Sequence, residues 1–83
     1  MTDEEMDKLG IHPSAYRFES NPRIKVEWRG TGLWAITNAG HCLNKDNQWE
    51  YEPLPSNRSD DFIERTRFTL NEALRRAIEE NNI

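Results

Sequence analysis

The sequence predicts one α+β domain: a three- to four-stranded antiparallel meander packed by a C-terminal helix, with a short helix near the N-terminus. Three observations carry this. Polar and apolar residues alternate through Ile24-Lys25-Val26-Glu27-Trp28-Arg29 and again through Gln48-Trp49-Glu50-Tyr51-Glu52, the period of half-buried strands. Turn-forming clusters, Gly30-Thr31-Gly32, Asn38-Ala39-Gly40 and Lys45-Asp46-Asn47, separate the candidate strands, at the spacing of hairpins. Finally, Leu70, Ala73, Leu74, Ala77 and Ile78 fall at i, i+3, i+4, i+7 and i+8, one face of a helix.

From the N-terminus, Thr2-Asp3-Glu4-Glu5 is a capping-box pattern, with Met6 and Leu9 on one face and Gly10 as a stop. Its acidic first turn suits the positive end of the helix dipole, and Pro13 prevents continuation. Tyr16 and Phe18 alternate with charged neighbours and are expected to lie over the domain. Asn21-Pro22 turns the chain into the first strand, 24–29. Both parities of Leu33-Trp34-Ala35-Ile36-Thr37 are apolar, as in a central strand covered on both faces. Gly40 can supply the positive φ of a tight hairpin. A third strand is expected over 41–44 and a fourth over 48–52, with Trp49 and Tyr51 inward.

Pro53-Leu54-Pro55-Ser56 ends the sheet, because proline cannot donate to a ladder. Ser59, with Asp60 and Asp61 after it, caps a short helix through about Arg65 with Phe62 inward. Thr69 caps the main helix, Glu72 closes the box, and Phe68 is placed to staple onto Ala73. Glu72 pairs with Arg76, and Arg75 and Arg76 stand four residues before Glu79 and Glu80. Each such pair contributes only about 0.2–0.5 kcal/mol, so burial of the apolar stripe must supply most of the stability. The chain divides into an N-terminal helix and arm (1–22), a sheet (23–52), a connector (53–58) and helices (59–81). Neither half can bury its apolar face alone, so all 83 residues form one domain.

Composition fits a small domain with a limited core: 35% hydrophobic and 31% charged residues, mean hydropathy −0.97, net charge −4. A chain this short buries about 60–65% of its unfolded surface, and three Trp, three Phe and two Tyr supply the bulk that scarce aliphatics do not. The acidic total disfavours indiscriminate nucleic-acid binding, which requires cations to displace phosphate counterions. Nothing approaches the roughly 18 apolar residues of a membrane span. Cys42 stands alone, which excludes an internal disulfide and favours the cytoplasm or another reducing compartment.

No catalytic, cofactor or metal constellation is expected. His12, His41 and Cys42 are the only His or Cys residues, too few and wrongly spaced for a zinc site. On a strand, His41 and Cys42 point to opposite faces. Gly30-Thr31-Gly32 lacks the downstream Gly, Lys and helix start of a phosphate loop.

Two surfaces are candidates for partner binding. Arg23, Lys25 and Arg29 project from one face of the first strand with Glu27 between them. The doubly apolar second strand needs a second cover, because one helix reaches one face only. Leu33 and Ala35, or else Trp34 and Ile36, need cover from the N-terminal segment (Met6, Leu9, Ile11, Tyr16, Phe18), a second copy or a foreign partner, so Leu33, Ala35, Tyr16 and Phe18 join Arg23, Lys25 and Arg29 as candidate contact residues.

A sheet followed by the helix start Phe68-Thr69-Leu70-Asn71-Glu72-Ala73 resembles plant-type AP2 domains and the arm-binding domains of phage integrases. That resemblance implies DNA reading by the outer sheet face, although Gln48, Glu50 and Glu52 on the fourth strand depart from it. The run Trp49-Glu50-Tyr51-Glu52-Pro53-Leu54-Pro55-Ser56-Asn57-Arg58, with Asp61-Phe62 and Arg65-Thr66-Arg67-Phe68 after it, is similar to small uncharacterised proteins of actinobacteria and their phages. It implies a small phage or accessory protein that modulates a host protein. The expected function is a non-enzymatic binding module acting through protein–protein contacts or self-association. The alternative is DNA binding by the outer sheet face.

Overall fold

The computed structural model describes residues 3–10 and 14–81. Thr2, Ile11, His12 and Pro13, and the side chains of Asp3, Met6 and Asp7, lie outside the described residues. In chain order the elements are α1 (Asp3–Lys8), β1 (Ala15–Arg17), β2 (Lys25–Trp28), β3 (Trp34–Asn38), β4 (His41–Leu43), β5 (Trp49–Tyr51), a single 3-10 turn over Pro55–Asn57, α2 (Asp60–Thr66) and α3 (Leu70–Asn81). The α+β class and the antiparallel meander are as expected, but the sheet has five strands, in the order β1-β2-β3-β4-β5. The added strand is β1, where three to four strands were expected. Ala15, Tyr16 and Arg17 are all exposed, so the strand leaves no buried-face signal in its sequence.

Each strand pairs antiparallel with the next. The register places Tyr16 opposite Val26, Val26 opposite Ile36 and Trp28 opposite Trp34, so these residues share the face that α3 covers. The turn expected at Asn38-Ala39-Gly40 is a two-residue hairpin, with Ala39 at φ 50° as well as Gly40 at φ 83°. Positive φ at both central positions gives the turn the twist of its flanking strands.

The core lies between α3 and this face. Ile24, Val26, Trp34, Ile36, Leu43, Phe68, Ala73 and Ala77 are buried together, with Phe18, Trp49, Leu70 and Leu74 packed against them. Ala73 and Ala77 are wholly buried; small side chains at these positions let the helix approach the sheet closely. Ile78, the last residue of the expected stripe, is half exposed, and Tyr51 is 66% exposed where the alternation placed it inward.

Both cap hydroxyls act as expected, whereas the Glu72 carboxylate, expected to close the box on Thr69, is bound by Arg75 and Arg76 instead. The Ser59 hydroxyl accepts a hydrogen bond from the Phe62 N–H at 3.1 Å, and the Thr69 hydroxyl accepts one from the Glu72 N–H at 3.3 Å. Between these helices the chain runs briefly as a strand. Phe68 and Trp34 exchange backbone bonds of 2.9 and 2.8 Å, which extends the sheet where β4 has diverged from β3. Among the described residues, no helix is long and apolar enough to cross a membrane.

Candidate functional site

At its centre the second sheet face is closed by the protein itself. Ala35 is 0% exposed and Thr37 and Cys42 are buried with it. Among the described residues the cover is α2 and a set of arginines, while Tyr16 and Phe18 of the N-terminal segment lie on the α3 side. Arg65 of α2 holds Glu50 through Nη2 to Oε1 at 2.7 Å, and its guanidinium lies 5.4 Å from the Phe62 ring centroid. Arg67 lies 5.6 Å from the same ring. Thr66 donates to the Phe62 carbonyl at 2.6 Å, the bond that satisfies a buried hydroxyl within a helix.

At the centre of this face stands Glu52. Arg29 meets it at 2.7 Å, Arg67 at 3.1 Å and Arg58 at 3.7 Å. Arg29 also lies 3.6 Å from Glu27, which accepts a 2.5 Å bond from the Thr37 hydroxyl. Burial alone would push the Glu52 carboxyl up, but the Arg29 hydrogen bond and the charges of Arg29, Arg67 and Arg58 hold it below the usual carboxylate range. Arg29 is raised, chiefly by its bond to Glu52. Arg67 is lowered instead, because its side chain is only 5% exposed and desolvation outweighs the attraction of a carboxylate it shares. Burial also raises the Cys42 thiol, with the nearby Glu52 charge adding to it.

The residues expected to meet a partner do not converge. Ala35 is buried beneath the ionic cover and Leu33 is partly exposed at the β2–β3 turn. Tyr16 and Phe18 lie on the α3 side: the Tyr16 ring sits 5.6 Å from that of Trp34, and Phe18 packs against the core. Arg29 is committed to Glu52 and Glu27. Arg23 and Lys25 remain open and line a groove of about 470 Å³ with Pro22, Glu27, Thr37 and Glu52.

Arg17 joins them, and sequence reading missed it because β1 was not recognised. In the register, Arg17 stands directly opposite Lys25, so both project from the outer face beside Arg23. Among the described residues, Arg17, Arg23, Lys25 and Lys45 are the basic side chains that make no ion pair. Three of those four are therefore gathered at one edge of the sheet.

Among the described residues, the same edge is open along its backbone. The Trp28 N–H donates to the Ser14 carbonyl at 2.8 Å, which makes that position a hydrogen-bonded pair of the β1–β2 ladder. Pairs alternate in an antiparallel ladder, so Tyr16–Val26 is hydrogen-bonded while Ala15–Glu27 and Arg17–Lys25 are not. Ala15 and Arg17 consequently turn their N–H and C=O groups away from β2, toward the free edge.

Elsewhere the polar groups answer one another. Glu72 binds both Arg75 and Arg76, at 2.6 and 2.8 Å, and Arg75 reaches Glu79 at 2.9 Å. No buried side-chain nitrogen or oxygen among the described residues lacks a partner. No group of three or more His, Cys, Asp or Glu among them could hold a metal ion. Comparison with protein-family models, curated proteins and solved structures found no match.

Proposed function

We propose that this chain is a small non-enzymatic binding module that acts through protein–protein contacts, made at the open edge of β1. The observation that carries the reading is the outward-facing backbone of Ala15 and Arg17 on a strand whose three residues are all exposed. Strand addition to such an edge is a recurrent mode of peptide recognition, with affinity from main-chain hydrogen bonds and selectivity from alternate side chains. The rest of the surface supports this: α3 presents a self-paired ladder, and the centre of the second sheet face is closed by α2 and its arginines. A host protein is the first candidate partner only on the resemblance of the run 49–58 to small uncharacterised proteins of actinobacteria and their phages.

Affinity capture with the wild type and with Ala15→Pro tests the reading. Proline at position 15 removes one outward N–H without touching the β1–β2 ladder. A protein retained by the wild type and lost with Ala15→Pro is the expected result. If nothing retained depends on that N–H, the edge reading falls.

DNA binding by the outer face is the second reading, favoured by the grouping of Arg17, Arg23 and Lys25. It is weakened by the loss of Arg29 to Glu52. Fluorescence anisotropy with mixed duplexes at low salt tests it, and an absence of binding removes it.

A further inference from the structure

Resting on the strand-addition reading, we infer that the segment received at β1 is acidic: an extended stretch of a partner protein whose alternate Asp or Glu side chains lie over Arg17, Lys25 and Arg23. The argument begins with a local cost. Arg17 and Lys25 form a non-hydrogen-bonded cross-strand pair, the closer of the two antiparallel geometries, with Cα atoms about 4.5 Å apart. Like charges directly opposite each other destabilise a sheet. Arg23, two residues before Lys25, adds a third cation to the same neighbourhood.

No described carboxylate relieves this cluster. Glu27 and Glu52, which share the groove with Arg23 and Lys25, are held by Thr37 and Arg29 and by Arg29, Arg58 and Arg67 respectively. A single charge suffices to guard an exposed edge against unwanted pairing, so protection of the edge does not account for three. In a chain of net charge −4, an unrelieved cationic triad is a local specialisation.

The triad and the open backbone coincide, and this selects the occupant. A strand paired to β1 places every second side chain on the outer face, with one of them directly beside Arg17. Carboxylates at two successive such positions neutralise the Arg17–Lys25 pair and reach toward Arg23. A second copy of the chain does the reverse. Symmetric antiparallel pairing about Tyr16 brings two cationic triads onto one face, where they repel. A nucleic acid gains little here, since three phosphate contacts give a salt slope of only about −2.7 and Glu27 lies within the patch.

The test uses the full chain, labelled with ¹⁵N, and short capped peptides that alternate Glu, Thr or Lys with Val. The Glu–Val peptide is expected to shift the Ala15 and Arg17 amides and to bind at least about tenfold more tightly than the Thr–Val peptide. Arg17→Glu is expected to abolish that preference while leaving the spectrum of the core unchanged, and Lys25→Gln to reduce it. Equal binding of the Glu–Val and Thr–Val peptides would overturn the acidic specificity and leave strand addition standing. Binding by none of the peptides would overturn both. Tight binding of a short DNA duplex with no response to the Glu–Val peptide would overturn the inference in favour of phosphate recognition.

Discussion

Arg29 grips Glu52 with two hydrogen bonds, Nε to Oε2 at 3.2 Å and Nη2 to Oε1 at 2.7 Å, across 23 positions of the chain. The carboxylate that receives this fork also receives Arg67 from the segment joining α2 to α3, and Arg58 from the connector. One side chain thus ties the end of β2 to the connector and to the segment joining α2 to α3.

Replacing Glu52 by Gln leaves Arg67, Arg29 and Arg58 without their shared counter-charge on a largely buried face. Removing one member of a buried ionic set costs about 3–5 kcal/mol. We expect a loss of about 3 kcal/mol in urea unfolding followed by tryptophan fluorescence. Glu79→Gln, on the exposed side of α3, should cost less than about 0.5 kcal/mol. Similar losses in the two variants would show that the network contributes little.

The same carboxylate sets the response to acid. Its folded pKa lies below the usual 4.5, as does that of Glu50, held down mainly by the Arg65 hydrogen bond and then by Asn44. Groups depressed by folding stabilise the native state fully above their unfolded pKa, and that contribution is lost as pH falls through the folded value. The urea midpoint should therefore be nearly level from about pH 5 to 7 and drop below about pH 4.5. In Glu52→Gln the drop should be shallower; an unchanged profile would remove Glu52 as its cause.

Cys42 is fully buried, and burial disfavours its thiolate. Thiolate is the reactive form, so a disulfide reagent should fail to label the native protein at mild alkaline pH and label it completely in guanidinium. Because Cys42 lies beneath α2 and beside Glu52, Glu52→Gln should accelerate native-state labelling. Rapid labelling of the wild type would mean that this face opens readily.

Arg17→Glu converts a repulsive cross-strand pair into an attractive one opposite Lys25. Stabilisation of about 0.2–1 kcal/mol is expected, measured by chemical unfolding at low salt and diminished as ionic strength rises. An equal or lower stability would mean that the cations cost the free protein nothing.

The α3-side architecture was legible because each signal there is local. Alternation marks β2, the Ser59 and Thr69 caps begin α2 and α3, and the helical stripe follows its period. Cover for β3 was also inferable, since Ala35 and Ile36 cannot both face one helix. What covers it was not. Arg29, Arg58 and Arg67 are far apart in sequence and look like surface residues until the fold brings them to Glu52. Glu50 and Glu52 were read as acids facing solvent for the same reason. β1 was missed because a strand exposed at every position carries no hydrophobic period, and with it went Arg17, whose position is defined only by pairing with Lys25.

Phe68 completes the edge of β3 through its backbone, and α3 follows directly across the apolar face behind it. During synthesis, Ile24, Val26, Ile36 and Leu43 leave the ribosome before the segment that shields them. The meander therefore has an interval in which its greasy side faces water, an invitation to chaperones or to neighbouring nascent chains. Cleavage within the connector 53–58, followed by loss of the tail, would return the molecule to that state. The last quarter of the chain is the lid on a fold that cannot be left half made.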